Sequence, residues 1–318
     1  MKTQALKHIE YQEIPLPSVL LSEALTGSRD YRLNGYHQWI TKIGSDEITA
    51  TGYGDGETQA TAKAKSYSEA IERFALFYMP RLGVSSPNSN GWACHYSAAV
   101  ASQIAVCELI ERHVALSLWF SGGPYLEIPP SLWPESVREW STARSEKLEF
   151  PNLKLLLCKS PVGCAITALL FNEKGNFVSG HASAIALENA ILSAAKECLN
   201  AARLAVSLEF FGEVMKIHEP ENAVGHQFQP AANALAYAYT KTIPNEISFI
   251  PADDLTVIEL WRDQHQKVLK LQESSNILVW RCGDRYVAYA TSDKVKNVFW
   301  GPTPKEMNVK NNNPHIVG

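Results

Sequence analysis

The sequence predicts an α/β (α+β) fold, and three observations carry that expectation. Three long runs without Gly or Pro, about 57–78, 97–120 and 184–211, place apolar residues at helical spacing. Between and after them lie short β-prone runs bounded by turn residues. Strands therefore alternate with helices along the chain, an order that fits a layered α/β or α+β domain.

Taken in order, Gln38–Ile43 and Glu47–Ala50 read as a hairpin broken at Gly44-Ser45-Asp46. Gly52-Tyr53-Gly54-Asp55-Gly56 does not match GxGxxG and reads as a turn. The first helix follows, with Ala64, Tyr67, Ile71, Ala75 and Tyr78 on one stripe, and Pro80 and Gly83 end it. A loop over 85–91 leads to the second helix, striped by Ile104, Cys107, Ile110, Val114 and Leu118. The segment 148–172 is β-rich around a turn at Lys159–Gly163, and the third helix is striped by Leu187, Ile191, Ala194 and Cys198. Beyond it come a polar loop (220–230), β-prone pieces at 276–280 and 286–289, and a polar tail. The shared signature of the first two helices, described below, suggests an internal pseudo-repeat of strands and long helices. No linker interrupts the chain, so a single domain over 1–318 is expected, with a core at about 45–212 and the part 213–318 packed on it.

With 318 residues, 46% hydrophobic and 19% charged, the chain can bury a sizeable core, which excludes disordered, collagenous and coiled-coil classes. A net charge of −4, with 29 basic residues spread against 33 acidic ones, leaves no basic stripe, so nucleic acid is not an expected partner. The start lacks a signal-peptide apolar region and no run approaches the ~20 apolar residues of a membrane span, so no membrane partner and a cytoplasmic location are expected. The six cysteines show no CxxC or paired spacing, which argues against a disulfide framework or a zinc knuckle. Cys94 and His95 are adjacent, and neighbours on a strand point to opposite faces, so a Cys-His nucleophile pair is not expected.

The chemistry lies on the helices. Ser68-Glu69-Ala70-Ile71-Glu72-Arg73 and Cys107-Glu108-Leu109-Ile110-Glu111-Arg112 carry the same signature, with both glutamates displaced by 39 residues. Glu197-Cys198-Leu199-Asn200 on the third helix repeats the spacing, followed by Arg203. Residues three apart share a helix face, so three converging faces would present five carboxylates and one amide. Like charges at this spacing repel, and a bound cation offsets the repulsion. Mg²⁺ takes oxygen ligands, while Arg73 and Arg112 are suited to bidentate contacts with phosphate. The spacing alone leaves two readings open, ordinary surface charges or a Mg²⁺-nucleotide site.

The order of these motifs resembles the YcaO family. Gly54-Asp55-Gly56 with Ala62 and Glu69–Arg73 is similar to the family's first motif. Asn90-Gly91 leading to Glu108–Arg112 is similar to the second, and Gly180-His181-Ala182 through Ala190, Glu197 and Asn200 to the third. The likeness covers about 45–212, with a weaker one at Asn308–His315. It implies a YcaO-like fold that binds ATP and Mg²⁺ without a Walker loop. Glu69, Glu72, Glu108, Glu111 and Glu197 would hold the metal, and Lys65, Arg73, Asn90, Arg112, Asn200 and Arg203 the nucleotide. His315 and the terminal Gly318 carboxylate would move protons at the reacting amide.

The resemblance further implies ATP-dependent activation of peptide backbone amides. Cyclodehydration of Cys, Ser or Thr in a ribosomally made precursor peptide is the first choice. Thioamide formation with a sulfur-delivery partner, and a non-catalytic scaffold that binds nucleotide or peptide, are the alternatives. The signature begins within the first 60 residues, so a separate leader-peptide-binding protein is expected as partner, with a flavin dehydrogenase where azolines are oxidised; a homodimer is expected by resemblance. The chain departs from the family pattern at Asp55, where Lys is usual, at Lys65 for Ser, at His113 for Asp and at Asn200 for Gln. His113 and His181 read as polar neighbours with a phosphate role open, and Trp119-Phe120 and Phe210-Phe211 as core.

Overall fold

Helical and strand periods set the architecture seen in a computed structural model, which describes residues 12–15, 20–27, 37–44, 48–84, 90–142, 150–210 and 247–296. The described residues fall into two compact units, with the division inside the second long helix after Ala105.

The first unit holds β1 (Gln12–Glu13), β2 (Leu20–Gly27), β3 (His37–Gly44) and β4 (Thr49–Gly56), then α1 (Gln59–Tyr78) and β5 (Trp92–His95). β2, β3 and β4 form an antiparallel sheet, and the expected hairpin is its β3–β4 half, with Ile43 opposite Ala50. Thr58 caps α1, its hydroxyl accepting the Thr61 N–H at 3.1 Å, and the short 3₁₀ turn Met79–Leu82 ends it. Gly52–Gly56 belongs to β4 and is not a turn. A Cβ at Gly52, Gly54 or Gly56 would overlap Ser66 and Ala70, Ala62 and Ser66, or Thr61 and Ala62 respectively. Two strand residues advance about 6.6 Å and four helical residues about 6 Å, so each glycine meets the next turn of the helix. The run is thus a packing surface on which the α1 backbone lies directly.

The second unit contains α2 (Ala98–Ser121) from residue 106 onward, β6 (Tyr125–Glu127), α3 (Glu135–Thr142), β7 (Asn152–Ser160), β8 (Gly163–Phe171), β9 (Phe177–Ala182), α4 (Leu187–Phe210), β10 (Phe249–Pro251), α5 (Asp254–Arg262) and α6 (Gln264–Ser274). Its sheet runs β10-β6-β7-β8-β9, and β8 is buried along nearly its whole length beneath α4. Gly180 repeats the glycine device, since a Cβ there would overlap Ala194 O and Cys198 N on α4. Buried Gln264 ties α6 to the sheet, accepting the Cys164 N–H at 2.8 Å and donating to Cys164 O and Ser183 Oγ at 2.9 Å. Trp119 and Phe120 are core, as the sequence suggests.

The chain then returns to the first unit with β11 (Asn276–Cys282) and β12 (Arg285–Thr291), giving the sheet β1-β11-β12-β5. Trp92 stacks on Tyr289 at 4.5 Å and Trp280 at 6.1 Å, and joins Ile14, Ile43, Ile71 and Phe74 in one core. The signature shared by α1 and α2 is not matched by a shared element order, because α1 follows a three-stranded meander and α2 follows β5 alone. No pseudo-repeat of these two helices is shown.

All six cysteines are free, and burial raises every thiol, with Cys107, Cys158 and Cys282 pushed up to about 12. A thiol this far above neutral pH holds almost no thiolate. Treating native protein with an aromatic disulfide reagent at pH 8 should therefore label no cysteine quickly, while denatured protein releases all six equivalents. A rapid equivalent from folded protein would contradict this. Cys94 and His95 do not pair, and His95 Nδ1 accepts the Ser97 N–H at 3.0 Å.

Candidate active site

In the first unit the site is built on α1 against β4. Glu69 Oε2 accepts the Tyr53 N–H at 2.7 Å, and its Oε1 meets Arg73 Nη2 at 2.5 Å. Burial raises the Glu69 carboxyl above the ordinary carboxylate range, against the pull of Arg73 and the Tyr53 N–H, and the neighbouring Asp55 adds to the rise. Arg73 lies 5.7 Å over the Tyr53 ring. Glu72, half-buried, is close enough to Cys94 to help raise its thiol. Lys65 is exposed on α1, and Asn90 is buried in the turn that Gly91 O anchors to Ala290 N at 2.8 Å.

The first unit also holds a residue that sequence reasoning missed. Arg285 opens β12 and is 3% exposed. Its guanidinium donates to Ser68 Oγ and, at 2.5 Å, to the Tyr96 hydroxyl, and lies 4.0 Å over the Tyr96 ring. Its Nε is buried without a hydrogen-bond partner, and the Asp284 carboxylate that faces it at 3.9 Å is largely solvent-exposed. The Tyr96 ring and the Tyr67 ring, 5.1 Å away, offset part of the cost of burying this cation, and an anion at Nε would offset more. Only the long-range pairing of β12 brings Arg285 beside Ser68, so no local spacing could have found it.

In the second unit Arg112 Nε stands 3.7 Å from Glu108 Oε1 and 3.5 Å from Glu111 Oε1, with Arg112 15% and Glu111 13% exposed. Burial pushes the Glu111 carboxyl well above its usual range; Arg112 opposes the rise, Glu197 and Glu108 add to it, and the Ser183 N–H opposes it. Burial alone would lower Arg112, but Glu111, Glu108 and Glu197 hold its charge. Glu197 Oε2 accepts the His181 N–H at 2.8 Å. Tyr53–Glu69 and His181–Glu197 are therefore the same device, a strand N–H just after a close-packed glycine that holds a helix carboxylate 16 residues later.

The structure thus brings Glu108, Glu111, Arg112 and Glu197 together within the second unit, and Glu69 and Arg73 within the first. Among the described residues no group of three or more His, Cys, Asp or Glu is arranged as a ready metal cluster. Arg112 supplies counter-charge among the second unit's acids. Asn200 is exposed one turn after Glu197; the side chain of Arg203, and all of His315 and Gly318, lie outside the described residues. His181 is buried with Nδ1 3.0 Å from Thr167 Oγ1, and His113 Nδ1 accepts the Lys296 N–H at 2.9 Å. Burial, with help from Lys296, lowers His113 to about 4.

The donors are all hard oxygens beside guanidinium groups, a set that fits Mg²⁺ and phosphate. The family profile described as YcaO cyclodehydratase, ATP- and Mg²⁺-binding, matches residues 75–277, and the chain belongs to the YcaO family. That match takes in Glu108–Arg112 and Glu197 and begins just after Glu69–Arg73. The fold is similar to that of YcaO from Methanopyrus kandleri bound with AMPPCP and Mg²⁺, at TM-score 0.56 and 15% identity, covering 91% of this chain and 90% of that one. The E. coli microcin synthetase McbBCD complex gives TM-score 0.54 at 12% identity over 88% and 89% of the two chains. A heterocyclase in complex with substrate and cofactor gives TM-score 0.58 at 12% identity; the match spans 88% of this chain and half, 50%, of that one. Comparison with curated protein sequences gives no match. Among the described residues no helix is long and apolar enough to cross a membrane.

Proposed function

We propose that this chain binds ATP with Mg²⁺ and uses it to activate backbone amides of a ribosomally made peptide, forming thiazoline or oxazoline from Cys, Ser or Thr. The observation that carries the reading is the buried set around Arg112, whose Nε lies 3.5 Å from Glu111 and 3.7 Å from Glu108, with Glu197 adding to the upward push on the Glu111 carboxyl. A further cation would offset the repulsion among these acids. Glu108, Glu111 and Glu197 are the proposed Mg²⁺ ligands, and Arg112 is held by them for phosphate. In the first unit Glu69 and Glu72 are offered to metal, and Arg73, with the under-compensated Arg285, to phosphate oxygens.

When bound, ATP supplies the phosphoryl group that makes an amide oxygen a leaving group. The protein's part is to hold and neutralise that group, and within the second unit Glu197, anchored by the His181 N–H, and the packed Arg112 are pre-positioned for it. Relatives supply the rest of the reading: the M. kandleri protein binds AMPPCP and Mg²⁺, and McbBCD binds pro-MccB17. By analogy the partners are a precursor peptide and a separate leader-binding protein. His315 is proposed to move the proton at the amide. Deleting residues 314–318 should then slow turnover by about 10²–10⁴ while nucleotide affinity stays within a few-fold. Full turnover after deletion would remove the tail from the mechanism.

A second reading, nucleotide binding without turnover, is favoured by Asp55, whose Oδ2 is buried without a partner beside Glu69 and adds negative charge there. Incubation with ATP, precursor peptide and leader-binding partner, with and without added sulfide, tests both. Phosphate release with loss of one water per modified residue supports cyclodehydration, and exchange of amide oxygen for sulfur assigns thioamidation. Nucleotide binding with no peptide-stimulated phosphate release supports the second reading.

A further inference from the structure

The second unit contains a cavity that the nucleotide reading does not use. It has a volume of about 510 Å³ and is lined by apolar residues, Phe120, Leu126 and Leu157 among them, and by polar ones that include Ser117, Lys159 and Lys296. That size is within the ~300–1,000 Å³ usual for small-molecule sites. Helical residues turn by about 100° each, so His113, Ser117, Phe120 and Ser121 share one face of α2. Glu108, Glu111 and Arg112 occupy the opposite face. The cavity is therefore separated from the acidic set by the thickness of the helix.

Its charged side chains are of one sign. The two lysines are cations with donors only, and no acidic residue is among the described residues that line it. Ser117 Oγ is buried without a hydrogen-bond partner. His113 also lines it, and because its Nδ1 accepts the Lys296 N–H, its other ring nitrogen is the donor. A lining that joins donors and positive charge to apolar side chains complements an anionic head on an apolar body.

From this geometry we infer that the cavity is a binding site for a monocarboxylate with an apolar body, its carboxylate taken by Lys159, Lys296 and Ser117 and its body by Phe120, Leu126 and Leu157. The inference stands apart from the nucleotide reading, and its test needs no ATP. Charge-assisted bonds to the head group make the acid the preferred form over its uncharged amide.

Ligand-observed NMR and calorimetry on the full chain, with octanoate, octanamide, N-acetyl-alanyl-leucine and the C-terminal amide of that dipeptide, decide the matter. Saturable binding of at least one acid is expected, about tenfold or more tighter than its amide. Octanoate alone would assign a free acid, and the dipeptide acid alone the C-terminus of a peptide; binding of both supports the shared chemistry. The double substitution Lys159→Ala/Lys296→Ala should remove the preference for acid over amide, and Leu126→Trp should block both forms by filling the space, with melting temperature checked for each. Failure of both acids to bind, equal binding of acid and amide, or unaltered preference in the lysine variant would overturn the inference.

Discussion

Glu111→Gln is expected to lower ATP turnover by about 10²-fold or more while leaving the protein folded, because it removes one charge from the site that neutralises the transferred phosphate. The acid and the amide are nearly the same size. Burial and the neighbouring Glu197 and Glu108 push the Glu111 carboxyl well up, so its charge is costly in the folded protein and an uncharged amide of the same shape is tolerated there. Like-charge repulsion falls, and stability should hold or rise. Glu108→Gln should behave similarly, since Glu108 faces the same Arg112 at 3.7 Å. Phosphate release measured alongside the thermal midpoint separates the roles. Unchanged turnover in a well-folded Glu111→Gln protein would show that the residue only holds Arg112.

Gly180→Ala should be among the most destabilising single substitutions in the second unit. The added Cβ would overlap Ala194 O and Cys198 N and lie 2.8 Å from Cys198 Cα, all of them backbone atoms of α4 that no rotamer change can move. Overpacking usually costs 1–3 kcal/mol, and backbone on the facing side puts this case at about 3 kcal/mol or more. For a domain of this size that is roughly a 6–12 °C drop in melting temperature. The His181 N–H that holds Glu197 follows directly in sequence, so turnover should fall as well, even where the protein stays folded. A melting temperature within a degree or two of wild type would mean that β9 and α4 do not pack this closely. Gly52→Ala should act in the same way on α1.

These glycines also show where sequence reading succeeds and where it stops. The three long helices are legible because burial on one side imposes the 3.6-residue period, and Cys107, Ile110 and Val114 are buried as their stripe requires. Ile104, on the same stripe, is 44% exposed. The ExxER spacing is legible for the same reason, since it places acids on one helix face. Gly52, Gly54 and Gly56 were harder, because a glycine-rich run is ordinarily a turn. The signal that would have found the strand is their alternation, one glycine at every second position, which is the period of a sheet face. Asp253 before the Asp254–Arg262 helix is likewise a readable cap, its carboxylate accepting the Thr256 N–H at 2.7 Å. Arg285 had no such signal. Its partners Ser68 and Tyr96 lie about 190 to 220 residues away in sequence, and only the β12–β5 pairing, with Tyr286 opposite His95, makes them neighbours.

Nucleotide binding by these acids and arginines is expected to depend on Mg²⁺. Calorimetric titration of the full chain with AMPPCP, in Mg²⁺ and again in excess chelator, tests it most directly. Saturable binding in Mg²⁺ that weakens sharply in chelator is the result predicted, because the carboxylates repel the nucleotide without the metal between them. No binding in Mg²⁺, or equal affinity in chelator, would contradict the account.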